Sequence, residues 1–327
     1  MSPIARVTGC LIVLCGLASL LGCGTSTPDD AVSAPEKRRI AVIPKGTTHV
    51  FWTSVEAGAK KAGEELGVDI IWKGPLDESD RSSQIQLMQQ FVGDGVDGIV
   101  LAPLDSIALV GSVRNAAQNQ VPVAIIDSGI EAEQGKDYVS FVATNNELGG
   151  KLGGEKLAEI LNQMGDVVLL RYAAGSASTT NRENGFMSAM DQADGIQVIS
   201  ENQYAGSTAG EAQTVALNMV DVLKQANGIF CPNESSTDGM LQALRKQGLA
   251  GKVTFVGFDA SPPLVEALRN GEIDALVVQN PYQMGYQGVK ALVAHLDGQS
   301  VEPLIDTGVT VVTRENMELP EVAPLIN

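Results

Sequence analysis

Residues 40–72 read IAVIPKGTTHVFWTSVEAGAKKAGEELGVDIIW. Ile40–Pro44 and Val68–Trp72 are short, apolar, β-branched runs, the pattern of strands buried on both faces. Between them Val55, Ala59, Ala62 and Leu66 are spaced 4, 3 and 4. That spacing lays one apolar stripe along a helix. The stretch therefore reads as strand, helix, strand: one βαβ unit.

The alternation continues outward. Further strands are expected at Gly98–Ala102, Val121–Asp127 and Tyr138–Val142. A second set follows at Asp166–Leu170, Ile196–Ser200, Gly228–Cys231, Val253–Phe258 and Asp274–Gln279. Ile85, Met88 and Phe91 repeat every 3 residues, and Val215, Met219 and Val222 are spaced 4 and 3, as on helices. Strand follows strand at about thirty residues, the size of one βαβ unit. The expected fold class is α/β: two doubly wound, Rossmann-like lobes with a break near Val142–Asn146. Thr307–Thr313 adds one more strand.

The N-terminus reads as a sorting signal. Residues 1–22 hold one charge, Arg6, and an apolar run from Leu11 to Leu21. The run is shorter than the ~20 residues a spanning helix needs. It ends Leu20-Leu21-Gly22-Cys23, which resembles a bacterial lipobox. That resemblance implies cleavage before Cys23, lipidation of its thiol and export to an extracytoplasmic, membrane-anchored position. Residues 23–37 are rich in Ser, Thr, Pro and Ala without periodicity, a flexible tether. Cys10 and Cys15 fall within the signal, so Cys231 is the one thiol left in the fold and no intrachain disulfide is expected there. Cys231 is read as a small buried hydrophobe.

Composition narrows the function. The 327 residues are 44% hydrophobic and 19% charged, which excludes a mostly disordered chain. The net charge of -17 repels phosphate backbones, so no nucleic-acid partner is expected. His49 and His295 are the only histidines, and no Cys/His cluster has metal-ligand spacing, so neither metal nor cofactor is expected. Gly93-Asp-Gly-Val-Asp-Gly98 leads into a strand instead of following one, which excludes a dinucleotide fingerprint. Gly149-Gly150-Lys151 lacks the rest of a phosphate loop and reads as a closely packed helix.

Ligands of doubly wound sheets bind at the carboxyl ends of the strands. Phe51 and Trp52 follow the first strand. A ring face suits the apolar side of a sugar; the alternative is that one ring packs into the core behind the helix. Asp127-Ser128 follows the fourth strand, where a carboxylate can accept two hydroxyl hydrogen bonds. Asn145, Asn233, Asp259 and Gln279 also stand just past strands. Arg182 lies early in a helix, and its planar fork suits vicinal hydroxyls.

Several motifs occur together in order: Pro122–Asp127, Asn146-Glu-Leu-Gly-Gly150, Arg182 with Gly185-Phe186, Phe230 with Asn233-Glu234, Val256-Gly-Phe-Asp259, and Val278-Gln279 with Met284-Gly285. On these the chain resembles, from Arg38 to about Thr313, the ribose-binding-protein-like sugar receptors of ABC importers. The resemblance implies a cleft between two lobes joined by a three-segment hinge. The lobes would be 38–143 plus 280–306 and 144–279 plus 307–327. It implies that Phe51 and Trp52 sandwich a sugar ring. Asp127, Arg182, Asn233, Asp259 and Gln279 bind its hydroxyls, and His49, Ser128 and Asn145 line the cleft. It also implies a monosaccharide or related polyol as ligand, a permease and an ATPase as partners, a monomeric state and no catalysis. A sensory receptor for a sugar or autoinducer is the alternative. The family often has Asp-Arg where Asp127-Ser128 stands, and an aromatic near Gly206-Ser207. Those departures leave ribose unassigned.

Overall fold

The computed structural model describes residues Lys37–Ile326; the sorting signal, Cys23 and most of the tether lie outside the described residues. The first sheet is built from β1 (Arg39–Ile43), β2 (Asp69–Trp72), β3 (Gly98–Leu101), β4 (Val123–Ile126) and β5 (Phe141–Ala143). Helices α1 (Val50–Leu66), α2 (Arg81–Gly93) and α3 (Val110–Gln118) connect the first four. The chain then runs through α4 (Asn146–Ile160), β6 (Met164–Arg171), α5 (Ala177–Met190), β7 (Gly195–Tyr204), α6 (Ala209–Asn218) and α7 (Val220–Leu223). It continues through β8 (Gly228–Phe230), α8 (Glu234–Gln247), β9 (Thr254–Phe258), α9 (Pro262–Asn270) and β10 (Ala275–Gln279). Then come α10 (Pro281–Leu296), β11 (Leu304–Asp306), β12 (Val309–Val312) and α11 (Ala323–Ile326).

The two six-stranded sheets run β11-β5-β4-β3-β1-β2 and β12-β10-β9-β8-β6-β7, the same order twice. Every pairing is parallel except β10 with β12. Apolar layers cover both faces of each sheet. That is why β3, β4 and β10 are apolar at nearly every position.

The chain passes between the sheets three times: after β5, at Asn280, and between β11 and β12. Helix α10 follows β10 of the second sheet but packs on α1 and β4 of the first. All expected strands are present. Three features differ from the expectation. β5 begins at Phe141 instead of Tyr138, which forms an isolated bridge with Gln134. β11 is an additional edge strand, and its exposed Leu304 gives it no buried alternation to read. β7 extends four residues past Ser200 because it keeps pairing with β6 through register shifts at Val167/Val168 and Val168/Leu170.

Helices α4 and α5 cross where both carry glycine. A Cβ on Gly150 would overlap the Arg182 carbonyl, and one on Gly185 would overlap the Glu147 carbonyl. This close crossing fixes the height of Arg182 above the second sheet.

Candidate ligand-binding site

The carboxyl ends of both sheets meet at one small cavity of about 30 Å³. The first lobe contributes Lys45, His49, Phe51, Trp52, Glu78 and Asp127. The second contributes Tyr172, Ser178, Thr179, Arg182, Asn233, Glu234, Asp259 and Gln279. Contacts between the two lobes narrow this cavity. A larger hollow of about 490 Å³ lies by Pro122, Tyr138 and His295. It opens at the amino ends of the strands, and its one buried carboxylate, Asp137, is already held by Arg114 at 3.1 Å. The smaller cavity is the chemical site.

Asp127 and Asp259 sit immediately after β4 and β9, both buried and both with positive φ, 61° and 71°. The turn lifts each carboxylate off its strand into the cleft, and Asp tolerates this backbone better than most residues. Lys45 Nζ lies 2.7 Å from Asp127 Oδ2, both side chains about 5% exposed or less. No well-aligned hydrogen bond reaches that oxygen, so it keeps acceptor capacity. Asp259 accepts from Gln279 Nε2 at 2.7 Å and from the Glu234 amide at 2.9 Å. Burial pushes its carboxyl up, against the pull of Arg182 and Gln279.

Arg182 donates from Nε to Asn146 Oδ1 at 2.8 Å, from Nη1 to the Pro232 carbonyl at 3.0 Å and from Nη2 to Gln279 Oε1 at 2.6 Å. Its guanidinium lies 4.0 Å above the Phe258 ring. The fork is held rigid, and burial lowers its pKa. Asn233 caps α8, accepting from Ser236 N at 3.3 Å, and donates to Ser235 Oγ at 3.0 Å.

Glu78 is a hub that sequence reasoning missed. It accepts from Trp52 Nε1 at 2.7 Å and from the Tyr172 hydroxyl at 2.7 Å, and it pairs with His49 Nδ1 at 3.1 Å. Burial alone would raise its carboxyl, but the bonds from His49 and Tyr172 and the Lys45 charge hold it at about 2. Burial alone would lower the His49 imidazole, but Glu78, Glu234 and Asp259 raise it to about 8.

Contacts join the lobes directly. Lys45 donates to Ser178 Oγ at 3.0 Å, Tyr172 to Glu78, and the Ser178 amide to Ser128 Oγ at 3.1 Å. Glu234 Oε2 accepts the Phe51 amide at 3.2 Å across the cleft. His49, the N-cap of α1, makes no side-chain cap bond, so this carboxylate of the opposite lobe supplies the cap. Burial first, and Asp259 second, push Glu234 up to about 7.

Eight of the ten expected residues line the cavity: His49, Phe51, Trp52, Asp127, Arg182, Asn233, Asp259 and Gln279. Ser128 is buried and links the lobes instead. Asn145 is exposed and caps α4, accepting from Leu148 N at 3.1 Å; its neighbour Asn146 turns inward to Arg182. The rings do not form a slot. Phe51 and Trp52 meet edge to face at 4.9 Å and 87°, and Trp52 is 2% exposed within the core. Only Phe51 is left partly exposed there. Cys231 is buried, as expected, and burial raises its thiol well above the ordinary value.

Comparison with known proteins gives consistent relatives. The family described as "Periplasmic binding protein domain" matches residues 40–300. The D-ribose/D-allose-binding protein of Pseudomonas aeruginosa is 32% identical over 305 residues, covering 90% of this chain and 95% of that one. A carbohydrate transporter solute binding protein from Agrobacterium radiobacter, solved in complex with D-arabinose, aligns with a TM-score of 0.85 at 33% identity. That alignment covers 90% of this chain and 100% of the other. An ABC transporter solute binding protein from Agrobacterium vitis, with bound D-fucose, gives 0.85 at 34%, covering 88% and 100%.

Proposed function

The chain belongs to the periplasmic binding protein domain family, and from that premise we propose that it is the substrate-binding component of an ABC importer for a monosaccharide or related polyol. It binds its solute and does not transform it. The observation that carries this reading is the pair Asp127 and Asp259, raised from equivalent strand ends of two lobes into one cavity with Arg182 between helix, loop and strand partners. Such a set meets several hydroxyls at once, and each charge-assisted bond contributes roughly 1.5–3 kcal/mol.

Asp127, Arg182, Asn233, Asp259 and Gln279 bind hydroxyls, and Phe51 covers the apolar side of the ring. Lys45 and Glu78 join this set; Ser128 and Asn145 do not contact the solute. Groups from both lobes touch the ligand, so binding favours closure. The closed form then docks on a permease whose ATPase drives import. Among the described residues no helix is long and apolar enough to cross a membrane. The protein is exported, acts as a monomer in the periplasm or its extracytoplasmic equivalent, and is held to the membrane by lipid on Cys23 after removal of residues 1–22.

The test is a thermal melt of protein refolded to strip carried-over ligand, against pentoses, hexoses, polyols and amino acids. A ligand at 100 times its Kd adds about 2.7 kcal/mol. One or two monosaccharides should raise the midpoint, and Asp127→Ala should abolish the rise. A response to amino acids alone would leave the fold and remove the sugar function.

A further inference from the structure

A second space adjoins the first. Its volume is about 160 Å³, against about 30 Å³ for the central cavity. Phe51, Glu234, Asp259 and Gln279 line both, so the two share a wall at the junction of α1, α8 and β10. Ser54 and Ser261 supply hydroxyls, but the rest of the far side is apolar: Val50, Val278 and Pro281, together with Leu325 and Ile326 of α11. The last two come from a tail outside the family match, which ends at residue 300. The tail is firmly seated, because Met317, Val322 and Ile326 are buried in the core of the second lobe.

The charged and amide side chains of the annex lie only on the wall it shares with the central cavity. Glu234 holds the Phe51 amide, and Asp259 holds Gln279 and the Glu234 amide. Beyond that wall a hydroxyl would leave water and meet no charged side chain, only the Ser54 and Ser261 hydroxyls, whereas a methyl group would lose nothing and bury its surface.

We propose that this annex receives an apolar substituent of the solute, so that the preferred ligand is a deoxy or O-methyl sugar and not its fully hydroxylated counterpart. The proposal rests on the sugar reading above. It makes the C-terminal tail a specificity element of the cleft.

The test uses sets matched in ring configuration. One set is L-arabinose, D-fucose and D-galactose; the other is D-ribose, 6-deoxy-D-allose and D-allose. Within each set the C5 substituent changes from hydrogen to methyl to hydroxymethyl. Methyl pyranosides of both pentoses complete the panel, and Kd is read by calorimetry. In at least one set the methyl-bearing sugar should bind roughly 10-fold or more tighter than both the pentose and the hexose, the scale of one well-buried methyl group. Ser54→Phe, which fills the annex from α1, should erase that gain while leaving the pentose Kd within about twofold. Ile326→Ala, which loosens the far wall, should reduce the gain without erasing pentose binding. Sugars that bind with no methyl preference, or a preference that survives Ser54→Phe, would overturn the annex and leave the sugar function standing. If no sugar in the panel binds, the sugar reading itself falls and takes the annex with it.

Discussion

Asp127 and Asp259 are counterparts in the two lobes: each follows the third strand of its sheet's order, each is left-handed, and each amide donates to the next strand, to Val142 and Val277 respectively at 3.0 and 2.9 Å. Both therefore carry a backbone that a side chain with a Cβ adopts at a cost. Asparagine tolerates that backbone nearly as well as aspartate, so the charge can be removed without refolding the turn. Asp127→Asn and Asp259→Asn should each weaken sugar binding about 10- to 150-fold, the equivalent of one charge-assisted bond of roughly 1.5–3 kcal/mol. Calorimetry checks the affinity and far-UV dichroism the fold. Affinity unchanged in both variants would remove the aspartates from the solute.

Lys45 and Asp127 form the most buried ion pair at the site. Such a pair adds little net stability, but breaking it strands a buried charge. Lys45→Met should cost about 3–5 kcal/mol in urea unfolding, and Lys45→Met with Asp127→Asn should cost less than Lys45→Met alone. Strict additivity of the two substitutions would show that the pair is not coupled.

Much of this site was legible from one rule, that residues just past strands face the ligand. Asp127, Asn233 and Asp259 obey it. Lys45 and Tyr172, past β1 and β6, obey it too, but neither belongs to a motif that sets it apart from an ordinary loop residue. Glu78 lies in the irregular stretch before α2, where no periodicity gives a direction, and only the fold brings it to Trp52 and Tyr172. Asn145 and Asn146 illustrate phase. A helix start is defined to about one residue in sequence, and that residue decides which amide caps and which faces Arg182. The strands were readable because sheets covered on both faces demand continuous apolar runs. β11, half outside any core, had no such demand on its sequence.

The α4–α5 crossing places Arg182, so its glycines bear on both stability and binding. At Gly150 and Gly185 the obstructing atoms are helix carbonyls, which cannot move without separating the helices. Gly150→Ala and Gly185→Ala should each cost about 3 kcal/mol, at the upper end for overpacking. Each should also weaken sugar binding, although neither residue lines the cavity. Thermal midpoints and calorimetry measure the two effects; a gain in stability, as expected for Ala over Gly in an ordinary helix, would contradict the close crossing.

The charges across the cleft make stability fall as pH rises through neutrality. His49 is raised from 6.5 to about 8 by Glu78, Glu234 and Asp259 acting against burial. A raised cation contributes stability fully present below 6.5 and lost through about 8, on the order of 2 kcal/mol. Glu234 acts in the same direction for a different reason. Burial and Asp259 raise it from 4.5 to about 7, so its ionisation is disfavoured in the fold and stability declines across that window. Glu78 opposes both only in acid: its carboxyl, held at about 2, keeps its contribution above 4.5 and loses it as pH falls toward 2. The thermal midpoint should therefore be highest near pH 5 and fall steadily to pH 8. His49→Asn should flatten the decline above 6.5, and Glu234→Gln the decline between 4.5 and 7. Glu234→Gln should also keep the cap on the Phe51 amide, because the side-chain carbonyl can still accept. A wild-type midpoint that rises between pH 6.5 and 8 would mean that His49 is not charged beside Glu78 in the closed molecule.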